Sequence, residues 1–289
     1  MVLLGLLVSC ISLIGCNSPT GRTLQVRPVA TAPVVSTTAS PSKTDALLAR
    51  SSRPRPSAQP PRPPPPTDAG TMIALTVDGC GDAVVAIPER GSAPHPIVVA
   101  THGNWDRPSW ECDWWRRVFV RAFILCPRGV LRSDSPEGDP RFTYVDDRNL
   151  ESEAEAGLLA LATAYTARVG TGANPLRAVT WVGLSRGAFL GAEIAPRRAA
   201  VFPRLVLVEG GHDPWTFSNA KMFADGGGKR VLFICGQGAC TTAAQKASRM
   251  LTHVGVSTRV EMVAGMGHGL SNDAAPIVRA ALPWLMASP

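Results

Sequence analysis

Ala178-Val179-Thr180-Trp181-Val182-Gly183-Leu184-Ser185-Arg186-Gly187-Ala188-Phe189-Leu190-Gly191-Ala192 is the stretch whose reading decides the fold. Residues 178–182 are apolar, with β-branched and aromatic side chains, and read as a buried strand. Residues 187–199 read as a helix. Only Gly183-Leu184-Ser185-Arg186-Gly187 lies between them, so the chain must turn sharply there. Such a bend holds its central residue at strained dihedrals with the hydroxyl exposed, and the flanking glycines leave room where backbones approach. The helix that follows aims unpaired amides and the positive end of its dipole at that hydroxyl. Ser185 is therefore a candidate nucleophile.

Strand and helix patterns alternate on both sides of this turn. Strands are expected at 72–77, 83–87, 97–101, 123–126, 204–208, 231–235 and 258–263. The first two read as a hairpin across Asp78-Gly79-Cys80-Gly81-Asp82. Helices are expected near 109–119, 151–168, 242–253 and 273–286. Glu151, Glu153 and Glu155 suit the amino end of a helix. This alternation predicts an α/β fold with a mostly parallel central sheet and helices on both faces.

Two further glycine-flanked features follow expected strands. Thr101-His102-Gly103-Asn104 ends the strand that begins at Ile97, and Gly265-Met266-Gly267-His268-Gly269 follows the last strand. With the turn at Ser185, they make the region 71–289 resemble the α/β-hydrolase superfamily, in its dienelactone hydrolase, esterase and peptidase-like branches. The resemblance implies an acyl-transfer site with Ser185 as nucleophile and His268 as base. It also implies an oxyanion hole from the backbone amides of Asn104 and Arg186, with His102 shaping its loop. The usual place for the acid, after the seventh strand, reads Cys235-Gly236-Gln237-Gly238 and holds no carboxylate. Glu209-Gly210-Gly211-His212-Asp213, one strand earlier, supplies two. Asp213 is the first candidate for the acid and Glu209 the alternative, with Asp273 and Asp106 behind them. The chemistry requires no metal and no organic cofactor. Trp105 is expected to wall the acyl pocket; Trp110, Trp114 and Trp115 either extend that wall or, as the i, i+4 spacing of Trp110 and Trp114 favours, pack a helix into the core. Arg128 or Arg141 is expected to meet a substrate carboxylate. Asp213 to Lys229 is too short for a large helical lid.

The remaining sequence differs in kind. Residues 1–16 carry no charge and end in Leu13-Ile14-Gly15-Cys16, which resembles the bacterial lipobox, with Cys16 as the lipidated residue. The first cation is Arg22, so the basic region that usually opens a secretory signal is missing. Residues 17–70 hold 12 of the 26 prolines and a net charge of +5, and read as a disordered Pro/Ser/Thr-rich linker. Most of the total charge of +7 thus lies outside 71–289, which argues against a nucleic-acid-binding face. The expected location is the cell envelope, lipid-anchored or secreted. In an oxidising compartment Cys112–Cys126 and Cys235–Cys240 would pair and Cys80 would remain a free thiol; the alternative is five buried reduced thiols. Three functional classes follow: an esterase acting on a small ester, a peptidase acting on a peptide-like substrate, and a non-catalytic envelope-associated binding protein.

Overall fold

Two antiparallel strands, β1 (Met72–Leu75) and β2 (Ala83–Ala86), open the fold and confirm the expected hairpin. The computed structural model describes residues 70–89, 94–169 and 178–287, all within one unit of the chain. The apolar start, Cys16 and residues 17–69 of the linker lie outside the described residues.

After the hairpin come β3 (Ile97–Thr101), α1 (Pro108–Arg116) and β4 (Phe123–Cys126). A small hairpin of β5 (Val130–Leu131) and β6 (Phe142–Thr143) precedes α2 (Asp147–Ala164) and the short α3 (Thr166–Val169). Then follow β7 (Thr180–Leu184), α4 (Arg186–Ile194), β8 (Arg204–Val208), α5 (Phe217–Asp225) and β9 (Arg230–Cys235). The chain finishes with α6 (Gly238–His253), β10 (Ser257–Met262) and α7 (Ala274–Met286). The main sheet runs β1-β2-β4-β3-β7-β8-β9-β10. β2 meets both β1 and β4 antiparallel, and every pairing from β4 to β10 is parallel.

Strand alternation divides the core. Ile97, Val99, Leu205, Leu207, Val231 and Phe233 face α2, α4, α5 and α6. Val98, Ala100, Val206, Val208, Leu232 and Ile234 face α1 and α7. Burial on both faces explains why these strands read as continuous apolar runs. A disulfide joins Cys112 of α1 to Cys126 at the end of β4, and a second joins Cys235 to Cys240. Cys80, expected as the free thiol, is disulfide-bonded as well.

Three local expectations shift. Helix α2 begins four residues before Glu151, because Asp146 caps it by accepting from the Asn149 amide at 2.8 Å. The acidic residues instead sit along its flank, where Glu151 and Glu155 pair with Arg197 and Arg198. The segment after Asp213 holds helix α5, capped by Thr216 through the Asn219 amide. That Thr-x-x-Asn spacing is a legible start signal. Finally, Trp110 is half-exposed, while Trp114 and Trp115 are buried.

Removing the α2 cap should be felt directly. Asp146→Ala is expected to lower unfolding free energy by about 1 kcal/mol in urea titrations.

Candidate active site

Parallel register brings five strand ends together. Thr101 lies opposite Gly183, Leu184 opposite Val208, Val208 opposite Ile234, and Cys235 opposite Met262. The residues just beyond these ends therefore share one edge of the sheet, where open α/β sheets usually carry their sites.

Ser185 occupies the turn between β7 and α4 with φ 51° and ψ −109°. A non-glycine residue at such dihedrals costs on the order of 1–3 kcal/mol and persists only where the surroundings enforce it. Enforcement is visible in two glycines. A Cβ on Gly183 would lie 2.6 Å from the Gly187 carbonyl carbon, and one on Gly187 would lie 2.6 Å from the Thr101 hydroxyl. The start of α4 is thus pressed against β7 and β3, and Ser185 projects from the bend. Its amide donates to the Val208 carbonyl at 2.8 Å, fixing the turn to β8.

The Ser185 Oγ lies 2.8 Å from His268 Nε2. On the other side of the ring, His268 Nδ1 lies 3.3 Å from Glu209 Oε2. Glu209 Oε1 accepts from the amides of Gly236 and Gln237, the latter at 3.2 Å. The Glu209 side chain is almost fully buried, while the imidazole is half exposed. Trp105, Ser185 and Glu209 are three of the four non-glycine residues with positive φ among those described. Such outliers cluster at functional sites.

The fold is that of the α/β-hydrolases. No protein-family model matches the sequence, and no curated protein matches it. Solved structures do. An uncharacterized protein from Bacillus cereus ATCC 10987 aligns with TM-score 0.52 and 13% identity over 68% of this chain; the match spans 61% of that protein. Est1E from Butyrivibrio proteoclasticus aligns with TM-score 0.50 and 12% identity, over 75% of this chain and 99% of its own. TT1662 from Thermus thermophilus gives 0.50 and 19% over the same shares. At these identities the likeness concerns architecture.

The acid expected first does not meet His268. Asp213 is exposed, and its carboxylate sits 3.0 Å from His212 Nδ1. Glu209 follows β8 directly and, at φ 48°, turns back toward β9. Beyond it the chain bends away at Gly211, φ 72°, whose Cα packs against the Ala188 carbonyl of α4. That bend carries Asp213 to the surface. Glutamate has the extra methylene needed to reach the imidazole from a strand end.

Asn104 and Arg186, the expected oxyanion residues, both adjoin the Ser185 turn. A Cβ on Gly103 would come within 3.6 Å of Ser185 Cβ, so the loop holding Asn104 lies against the Ser185 side chain. Among the described residues, the Asn104 and Arg186 amides donate to no other backbone carbonyl. The Arg186 guanidinium reaches sideways to the carbonyls of Tyr144 and Val145, at 2.7 and 2.6 Å. His102 is fully buried, with Nδ1 2.8 Å from the Gly103 carbonyl and Nε2 3.0 Å from that of Arg128. Burial pushes its pKa down, and it shapes the loop as expected. Tyr144, which sequence reasoning missed, stacks on His102, accepts from its amide and donates to Pro127.

A cleft of about 670 Å³ opens beside His268, walled by Trp105, Trp110, Trp114 and Leu270. The expected core role of Trp110 is thus corrected: the Arg107 and Arg141 guanidinium groups lie over its ring at 4.8 and 4.5 Å. Arg141 also pairs with Asp139 and covers Trp105, and Arg128 lies over Phe142. The Arg141 charge is thus paired within the protein, and neither arginine lines the cleft beside His268. Among the described residues, the close grouping of metal-ligating atoms is Glu209, Cys235 and Cys240, whose sulfurs are joined as a disulfide.

Glu111 also lines the cleft, almost fully buried, and accepts from Trp115 Nε1 at 2.7 Å. Burial pushes its carboxyl up to about 8, helped by the nearby Asp106 charge. Between its ordinary value of 4.5 and about 8, the folded chain holds a proton that the unfolded chain has lost. This contribution to stability is full below the lower value and is lost as pH rises through the upper one. Glu111→Gln should remove it. Unfolding free energies compared from pH 5.5 to 7.5 are expected to shift in favour of the variant by about 1 kcal/mol per pH unit.

Proposed function

We propose that the protein is a serine hydrolase that cleaves carboxylic esters through a covalent acyl-enzyme. The observation that carries this reading is the continuous line from Ser185 Oγ through His268, with 2.8 Å at Nε2, to the Glu209 carboxylate at Nδ1.

In this reading the His268 ring is neutral, with its proton on Nδ1 facing Glu209. Ser185 Oγ attacks the ester carbonyl while Nε2 takes the hydroxyl proton. The amides of Asn104 and Arg186 stabilise the negative oxygen of the tetrahedral intermediate, as preorganised donors near a helix amino end are suited to do. Collapse expels the alkoxide, which receives the proton from Nε2. Water then attacks the acyl-serine by the same route and releases the acid. Glu209 holds the tautomer and balances the imidazolium charge without taking the proton. The cleft walled by tryptophans would receive the acyl group, and among the described residues no helical insertion large enough for a lid stands over it, which suits a small, soluble ester.

A fluorophosphonate probe is expected to label the wild-type protein and not Ser185→Ala. With an ester substrate, Glu209→Gln should lower kcat by roughly a thousandfold or more, while Asp213→Asn leaves it nearly unchanged. The reverse pattern would return the acid role to Asp213. Cleavage of aminoacyl amides in preference to esters would move the assignment to a peptidase.

The envelope location belongs to the same proposal, supported by Leu13-Ile14-Gly15-Cys16 and the proline-rich stretch behind it. Cys16→Ser is expected to shift the protein from the membrane pellet to the soluble fraction on cell fractionation. Unchanged membrane association would exclude a lipid anchor at this cysteine.

A further inference from the structure

Glu209 is not held by its own strand. The carboxylate depends on two amides from the segment that links β9 to α6, those of Gly236 and Gln237. Within this segment the Gln237 carbonyl accepts from the Thr241 amide and hydroxyl, at 3.0 and 3.2 Å. Gly236 and Gly238 bracket Gln237, and glycine confers the greatest backbone freedom of any residue. Gln237 stands at the cap position of α6 and makes no side-chain cap bond. What does close the segment is the disulfide between Cys235, the last residue of β9, and Cys240, in the first turn of α6. Both cysteines are buried, and their sulfurs lie within 4.8 Å of a Glu209 carboxylate oxygen. The same loop touches the base: a Cβ on Gly236 would collide with the backbone of Gly267, the residue before His268.

We propose that the Cys235–Cys240 disulfide is a positioning element for the acid: by closing the loop it keeps the Gly236 and Gln237 amides aimed at Glu209 and the His268 loop seated above them. The inference rests on the Ser185–His268–Glu209 reading and adds to it a residue pair that touches neither substrate nor reacting atoms. The other bridge, Cys112–Cys126, ties α1 to β4 in the core and serves as the comparison.

The test uses the full-length protein with p-nitrophenyl acetate, and active sites counted by fluorophosphonate labelling. Cys235→Ala with Cys240→Ala is expected to lower kcat by roughly 10- to 100-fold with KM unchanged, the scale of a small misplacement in a catalytic group. In a Glu209→Gln background the same two substitutions should change kcat little, because both act through one carboxylate. Cys112→Ala with Cys126→Ala should lower the thermal midpoint and leave kcat unchanged. Should the first pair prevent folding, folded wild-type protein is treated with dithiothreitol. Its two thiols become a cyclic disulfide as the protein S–S bond opens to two S–H groups, which iodoacetamide then alkylates. Loss of turnover in step with alkylation of Cys235 and Cys240 supports the proposal. Full turnover after removal or alkylation of both, or a loss that multiplies undiminished with that of Glu209→Gln, overturns it. A wild-type protein that neither labels nor turns over ester overturns the hydrolase reading, and this inference with it.

Discussion

The close approach of α4 to the ends of β3 and β7 is the constraint on which the site depends. Gly183 and Gly187 permit it by lacking side chains where the Gly187 and Thr101 backbones intrude. The approach fixes Ser185 at dihedrals that an unconstrained serine would leave, so the strain is held by packing on three sides. From it follow the direction of the hydroxyl, the position of the Arg186 amide at the head of α4, and the contact with the Asn104 loop. The bond from the Ser185 amide to Val208 extends the same constraint to β8, whose next residue is Glu209.

Behind this turn lies a buried polar scaffold. Tyr144 links the His102 amide to the Pro127 carbonyl, and Arg186 ties the head of α4 to Tyr144 and Val145. Glu153 accepts from the Arg128 and Gly129 amides, and burial raises its pKa despite those bonds. Arg132 from the β5–β6 hairpin donates to the Asn104 side chain at 2.9 Å. These bonds satisfy backbone groups that an irregular segment at a sheet edge would otherwise leave unpaired. They also join the Asn104 loop, the hairpin and α2 into one supported surface.

Glu209 has a different support. Glu209 is buried and reaches outward to a half-exposed imidazole, so its carboxylate needs partners on the buried side. The Gly236 and Gln237 amides supply them, close to the amino end of α6. Ser185 and Glu209 are therefore fixed by separate means, one by close packing beneath α4 and the other by a short loop closed by a disulfide. His268 spans the two.

Much of this was legible in the residues. Apolar runs bounded by glycine and polar turns marked β3, β4, β7, β8 and β9 within a few residues, because burial on both faces leaves few other side chains admissible. The turn at Ser185 was legible because its geometry demands glycines at fixed offsets. The β5–β6 hairpin escaped because two-residue strands carry no periodicity. Trp110 was assigned to the core because a helical repeat states which residues share a face, and not what lies beside that face. Sequence by itself determined the mostly parallel sheet, the turn that carries Ser185 and the glycine-rich loop that carries His268, since each follows from local backbone and burial requirements. Only the tertiary structure placed Glu209, and not Asp213, beside His268, because that placement depends on how the chain leaves β8 and on amides from the segment after β9, more than twenty residues away in sequence.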